Sequence, residues 1–353
     1  MLKIIQILLL PLAFIYELIL RLRNHIYDVK LVAPTSFNIP TICVGNLAFG
    51  GTGKTPHIEF LIQLLKDNFK IAVLSRGYAR KTQGYVFAGE SSNALLIGDE
   101  PFQIFLGHPE VAVGVCESRV LGIPNLLFDA PETNLILLDD AYQHRQLQCG
   151  LNILLTDYER PYYKDFLVPS GYLREYRGAA KRADIIIVSK CKPTLSKQEA
   201  EAIKKAISPK AHQTVFFSNM AYANPVPVFG SNQTLTKNSQ ILAFSSIAKP
   251  EPFFNYLKEQ FIVVKHKTYP DHHLLTEREI IDLTERFELL EGQNKAIITT
   301  VKDSSKLLSL DLPDSFKQLP IYSLSISPII LFEEEAKFKN LIQLHIEQMQ
   351  MEA

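Results

Sequence analysis

The chain has 353 residues, 47% of them hydrophobic, and its 37 Lys+Arg balance 37 Asp+Glu to a formal net charge of +0. That length suits about two domains of ~100–200 residues, and the apolar fraction excludes a disordered chain. The even charge, with no zinc-finger or RNA-recognition motif, argues against a nucleic-acid partner. The four cysteines (Cys43, Cys116, Cys149, Cys191) form no C-x-x-C and sit in or beside apolar runs, as core residues of a reducing compartment do.

The first element expected is a helix. Residues 1–20 read MLKIIQILLLPLAFIYELIL. At 100° per residue Lys3, Gln6, Glu17, Arg21 and Asn24 fall on one narrow stripe, and the rest of the circumference is apolar. No small-residue cleavage site follows, which disfavours a signal peptide, and Lys3, Gln6, Pro11 and Glu17 interrupt a span. An interfacial helix on a membrane surface fits the stripe and the basic flank Arg21/Arg23; a greasy helix packed on the protein itself is the alternative.

Next comes ICVGNLAFGGTGKTP at 42–56: a short apolar run, a loop with Gly45, Gly50, Gly51 and Gly53, then Lys54, Thr55 and a helical pattern. Such a loop points backbone N–H groups at an anion, and the helix N-terminus adds partial positive charge. Residues Ala48, Phe49, Gly50, Gly51, Thr52, Gly53, Lys54 and Thr55 form the expected ATP cradle. Lys54 would reach the β- and γ-phosphates and Thr55 would ligate Mg²⁺. Ala48 stands where G-x-x-x-x-G-K-[ST] wants Gly.

Strands are expected at Thr41–Val44, Ile71–Leu74, Val111–Val115, Leu135–Leu138, Ile153–Leu155, Ile185–Val188 and Thr214–Phe217. These continuous Ile/Val/Leu runs suit a parallel sheet buried on both faces, with helices such as Ile58–Leu65 between them. Residues 223–238 read as a linker. Strands at Ile241–Phe244, Ile262–Val264, Ala296–Thr299 and Ile321–Leu324, with helices at Glu251–Lys258 and Glu277–Leu290, form a smaller lobe, and Phe332–Met349 reads as a last helix. The fold class is α/β, doubly wound. The partition is an N-terminal amphipathic membrane helix (1–30), a P-loop core (31–222), a linker (223–238), a smaller α/β lobe (239–330) and a C-terminal helix (331–353).

Asp139 and Asp140 close the strand NLILLDD, where a P-loop enzyme holds Mg²⁺. In IGDEP, Asp99 reads as a helix N-cap followed by Glu100; a phosphoryl transferase also needs a carboxylate for the attacking hydroxyl. His272 and His273 in YPDHHLLT suggest zinc, a proton relay, or a loop His capped by Asp271. Arg76, Arg119 and Arg174 lie in loops after strands, where a parallel sheet binds its ligands. Ser189-Lys190-Cys191-Lys192 lacks the Asp of N-K-x-D, which argues against a GTPase switch.

Taken in order, VGNLAFGGTGKTP, SRGY, GDEP, DDAYQH, LRE, FSSIAKPEPFF, DHH and TTVKD resemble the tetraacyldisaccharide 4′-kinases, over about Pro40 to Leu307. The resemblance implies a P-loop NTPase-like fold with a mostly parallel sheet, a smaller second lobe and an N-terminal membrane-associated helix. It implies transfer of the γ-phosphate of ATP, with Mg²⁺, to the 4′-hydroxyl of a tetraacyl glucosamine disaccharide 1-phosphate, giving lipid IVA at the cytoplasmic face of a bacterial inner membrane. It assigns Asp99 and His272 as a catalytic dyad beside Lys54, with the His raising the basicity of the Asp or orienting it. Mg²⁺ falls to Thr55, Asp139 and Asp140. Arg76, Glu100, Arg119, Gln143, Arg174 and Glu175 are expected near substrate. Ala141-Tyr142, Tyr172 and Tyr176 depart from the family pattern and are expected near the substrate crevice.

Overall fold

The computed structural model describes residues 6–230 and 233–352; Lys3 of the polar stripe lies outside them. The chain opens with helix α1 (Leu10–Asp28), whose Pro11 sits in the first turn where its missing N–H costs no helical bond. It turns Ala13, Leu20 and Asn24 inward and leaves Phe14, Leu18 and Leu22 half or more exposed. Among the described residues no helix is long and apolar enough to cross a membrane.

Strand β1 (Thr41–Asn46) is buried at all six positions and runs into the Gly-rich loop and α2 (Lys54–Leu65). β2 (Ile71–Ser75), β3 (Val86–Phe87), α3 (Ala94–Ile97), α4 (Asp99–Gly107), β4 (Ala112–Val115), α5 (Arg119–Asp129), β5 (Leu135–Asp139) and β6 (Leu151–Asp157) follow. Then come β7 (Ile185–Ser189), α6 (Lys197–Ile207) and β8 (Thr214–Tyr222). The smaller lobe holds β9 (Val226–Pro227), β10 (Gln240–Ser245), α7 (Glu251–Gln260), β11 (Ile262–Thr268), α8 (Glu277–Glu288), β12 (Lys295–Thr300), α9 (Val301–Leu308), α10 (Asp314–Lys317) and β13 (Ile321–Leu324). β14 (Ile326–Ile330) and α11 (Glu335–Glu352) end the chain.

The large sheet has the order β14-β8-β7-β6-β1-β5-β2-β4-β3, parallel except for its two edge strands. Its central strands carry apolar side chains to both faces, each packed by a separate cluster of buried residues, which is why they read as unbroken Val/Ile/Leu runs. The smaller sheet has the order β11-β10-β12-β13-β9. Two expected boundaries are drawn differently. The stretch read as a linker carries β9, which pairs with β13. Residues 326–330, grouped above with the smaller lobe, pair with β8 of the large sheet. The chain therefore passes between the sheets twice, and the two crossings are joined by Ala223 N–H donating to the Ser325 carbonyl at 3.0 Å. The last helix packs on the large lobe, with Phe338, Ile342 and Ile346 in the cluster that holds Ile58 and Ile62 of α2.

Candidate active site

The Gly-rich loop leaves β1 and enters α2 through Gly53, which has φ +87°, a left-handed backbone that glycine adopts without a Cβ penalty. The loop is propped from outside its own segment. Phe49 N–H donates to the Tyr172 carbonyl (2.7 Å), Ser189 Oγ to the Thr52 carbonyl (2.9 Å) and Lys190 Nζ to the Gly51 carbonyl. A cavity of about 140 Å³ lies against it, lined by Phe49–Thr52, Asp157 and Arg160, with Ala248 and Lys249 reaching in from the smaller lobe.

The end of β5 faces this loop. Asp140 has φ +48°, a conformation Asp tolerates better than most residues and one that turns its carboxylate back towards α2. It lies 3.8 Å from Lys54 Nζ and takes a two-point ion pair from Arg174, whose Nη2 also donates to Asn46 Oδ1 at 2.6 Å. Burial alone would raise the Asp140 carboxyl, but Lys54 and Arg174 hold it below the usual range. Asp139 is different. Its Oδ2 accepts from Ser75 Oγ at 3.2 Å, while Oδ1 is buried with no hydrogen-bond partner. Burial, then the charges of Glu100 and Asp140, push its pKa up to about 7.

That orphaned carboxylate oxygen is what a cation would satisfy. A nucleotide-bound Mg²⁺ takes one or two protein oxygens and completes its shell with phosphate and water, so Asp139 with Thr55 at the start of α2 fits it. Asp140, with its oxygens on Arg174, fits less directly. Among the described residues no group of three or more His, Cys, Asp or Glu could hold a metal by itself, so the zinc option for the paired histidines finds no ligand set. His273 pairs instead with Glu279 of α8 at 2.8 Å.

On the other side of the crevice, α4 begins at Asp99, with Gly98 as its cap. The expected N-cap role therefore falls one residue earlier, and Asp99 is the first helical residue, its carboxylate over the positive end of the helix. Gly98 has φ +93°, and a Cβ there would come within 3.0 Å of the Tyr78 carbonyl, so the turn requires glycine. His272 stands between β11 and α8 in the left-handed region (φ +61°) and points Nδ1 at Asp99 Oδ2, 2.8 Å away. The Tyr78 ring covers its ring at 5.0 Å. Asp99 is raised by burial, but the His272 hydrogen bond and the Lys302 charge bring it below the usual carboxylate range. His272 is raised, mainly by that same bond. Glu100, next to Asp99, adds its charge to the burial that raises Asp139, so the dyad lies towards the acidic end of β5.

The remaining expected residues separate. Arg76 is exposed at the end of β2, and Glu100 is half-buried 3.4 Å from Lys302. Arg119 does not face the crevice: it is 1% exposed and donates to the carbonyls of Cys116 and Asp139. Gln143 donates to the Asn46 carbonyl at 2.7 Å, pinning the end of β1. Glu175 is wholly buried and pairs with Arg23 (2.6 Å) and Asn24 (3.0 Å) of α1, so it ties down the first helix. The Tyr142 ring lies in the core under Arg182, with its hydroxyl on the Ala179 carbonyl, and Tyr176 stacks under Arg21; neither lines a crevice. Only Tyr172 is exposed, against Arg160. Sequence reasoning missed Asn46, Ser75 and Lys302. Only Lys302 had a signal, as the cation opening the helix in TTVKD.

The family model described as tetraacyldisaccharide-1-P 4′-kinase matches residues 5–347. A tetraacyldisaccharide 4′-kinase of Bacteroides thetaiotaomicron is 40% identical over 345 residues, covering 94% of this chain and 91% of that protein. One from Flavobacterium johnsoniae is 40% identical over 329 residues, covering 92% and 94%. The crystal structure of LpxK from Aquifex aeolicus in complex with ATP superposes with a TM-score of 0.76 at 28% identity, covering 97% of this chain and 99% of that one. Matched by the family model over residues 5–347 and by relatives 40% identical over more than nine-tenths of its length, this chain belongs to the tetraacyldisaccharide 4′-kinase family.

Proposed function

We infer that the chain transfers the γ-phosphate of ATP to the 4′-hydroxyl of a tetraacyldisaccharide 1-phosphate, releasing ADP and forming lipid IVA. The observation that carries this is an Asp–His pair built from two lobes, whose neighbour Glu100 acts on Asp139, the residue with an unsatisfied carboxylate oxygen beside the phosphate loop. A nucleotide-binding module needs the loop and has no use for the pair.

The loop 48–55 holds the triphosphate, Lys54 meets its β- and γ-phosphates, and Asp139 with Thr55 holds Mg²⁺, with Asp140 behind them steadying Lys54. Bound there, Mg²⁺ would supply positive charge against the negative charge that develops during transfer. Asp99 accepts the hydroxyl proton as the new P–O bond forms and the bond to ADP breaks. The His272 bond lowers the proton affinity of Asp99, so of the two roles open to His272 the orienting one is favoured. A carboxylate of low basicity suffices because the transition state is loose and the proton leaves late. Arg76, exposed at the end of β2, is the candidate for substrate phosphate.

The exposed Phe14, Leu18 and Leu22 lie four residues apart on one face of α1, and Leu31 is 77% exposed just beyond. Such a face suits insertion among lipid headgroups, peripheral to the cytoplasmic side of the inner membrane, and keeps the acyl chains of the substrate in the bilayer. The deciding assay supplies the purified chain with Mg²⁺, labelled ATP and tetraacyldisaccharide 1-phosphate in mixed micelles. Label is expected in the lipid; its absence, with an authentic kinase working alongside, would sink the reading.

A further inference from the structure

Lys302 is the second residue of α9, and the acceptor side of the crevice is assembled around it. Its Nζ lies 3.5 Å from Asp99 Oδ2 and 3.4 Å from Glu100 Oε1, both on the large lobe. It lies 3.4 Å from Asp271 Oδ1 and 3.4 Å from His272 Nε2, both on the small lobe. The three carboxylates outweigh its burial and raise its pKa, so it stays an ammonium at any working pH.

The His272 ring has one nitrogen settled and one contested. Nδ1 faces Asp99. Nε2 has Lys302 Nζ at 3.4 Å and Asp271 Oδ2 at 3.6 Å. An ammonium beside the ring opposes a second proton on it, whereas a carboxylate at Nε2 can only accept and so draws a proton there. If Asp271 prevailed, His272 would carry two protons and be held as an imidazolium between Asp99 and Asp271. The shorter contact belongs to Lys302, and its charge opposes a second proton on the ring. The Tyr78 ring packed on His272 adds no charge, and Lys306 behind Asp99 adds a further positive one.

We propose that Lys302 is a positioning residue: its ammonium, lying beside both Asp99 Oδ2 and the Nε2 edge of His272, opposes a second proton on the ring, keeps it as the neutral Nδ1–H tautomer, and so leaves its one proton aimed at Asp99. The role rests on the kinase reading above, but the tautomer does not, and the test separates them. The full chain is labelled with ¹⁵N-histidine, and His272 is assigned by its loss in H272Q. Long-range ¹H–¹⁵N spectra of the wild type should show a protonated Nδ1 and a bare Nε2. In K302M the midpoint for protonating His272 should rise by ~0.5–1 pH unit. Turnover near neutral pH should fall about tenfold or more, with KM for ATP within about twofold. K302R should keep the tautomer and most of the turnover. A wild-type ring protonated at Nε2 would overturn the proposal, as would turnover lost in K302M with His272 titrating unchanged, which would mark a packing role. If K302M does not fold, K302Q, which can donate but carries no charge, takes its place: its midpoint should also rise, and an unchanged one overturns the proposal. The expected spectra in a protein that phosphorylates no lipid would leave this inference standing and remove the kinase reading.

Discussion

Lys54, Thr55 and the loop before them are neighbours in the chain, whereas Asp99 and His272 are 173 positions apart and meet only where α4 of one lobe faces the β11–α8 loop of the other. The nucleotide half is built on glycines and one helix start adjacent in the chain, propped by Tyr172, Ser189 and Lys190 of the same lobe. The acceptor half exists only while two separately built sheets are held in one arrangement. Local construction gives a site that survives small movements of the lobes; divided construction gives one that is complete only when they are docked, which suits an enzyme that must not lose its phosphate to water.

That contrast can be broken in several ways. Asp99→Asn should reduce turnover by ~10²–10⁴-fold while ATP affinity, read by equilibrium titration, stays near wild type; a collapse of ATP affinity would show the halves are not separable. Glu175→Ala leaves Arg23 and Arg182 facing an empty buried site and should destabilise the chain by about 2–4 kcal/mol in denaturant unfolding, with α1 loosened first. A change below ~0.5 kcal/mol would mean the latch on α1 is ornamental.

The dyad should also make lobe docking depend on pH. Asp99 is depressed in the folded state, so its contribution is present above the ordinary carboxylate pKa and is lost as pH falls through the lowered value. His272 is raised, so its contribution is present below the ordinary histidine pKa and is lost as pH rises through the raised value. The pair should therefore add most between about pH 4 and 6.5. H272Q should flatten that profile in melting temperature against pH, and an identical profile would remove the pair from the docking energy. The smallest effect is expected at the membrane. Phe14→Asp with Leu18→Asp should release the chain from anionic vesicles in flotation without changing its fold, because both side chains are exposed while the buried contacts of α1 are untouched.

Much of this was legible in the sequence. The buried central strands announced themselves as apolar runs because both sheet faces are covered, and GTGKT marked the phosphate loop because its backbone needs those residues. The edge strand β14 was not legible: Pro328 removes a ladder donor, which only an edge tolerates, so ISPII did not read as a strand of the large sheet. Glu175 and Arg119 looked like crevice residues because charges in loops usually are, and burial reversed both. The two tyrosines at 142 and 176 looked like substrate-facing departures and are packing residues for cationic side chains.

The sequence by itself determined the α/β class, the phosphate loop, the acidic end of β5 and, through the ordered motifs, the family, because each depends on residues close together in the chain. Only the tertiary structure decided that Asp139 is the carboxylate left open while Asp140 is occupied by Arg174, that α1 is fastened through Glu175, and that Lys302 lies against both Asp99 and His272. Those depend on which charges burial forces together across about 30 to 200 residues, and no local pattern encodes that.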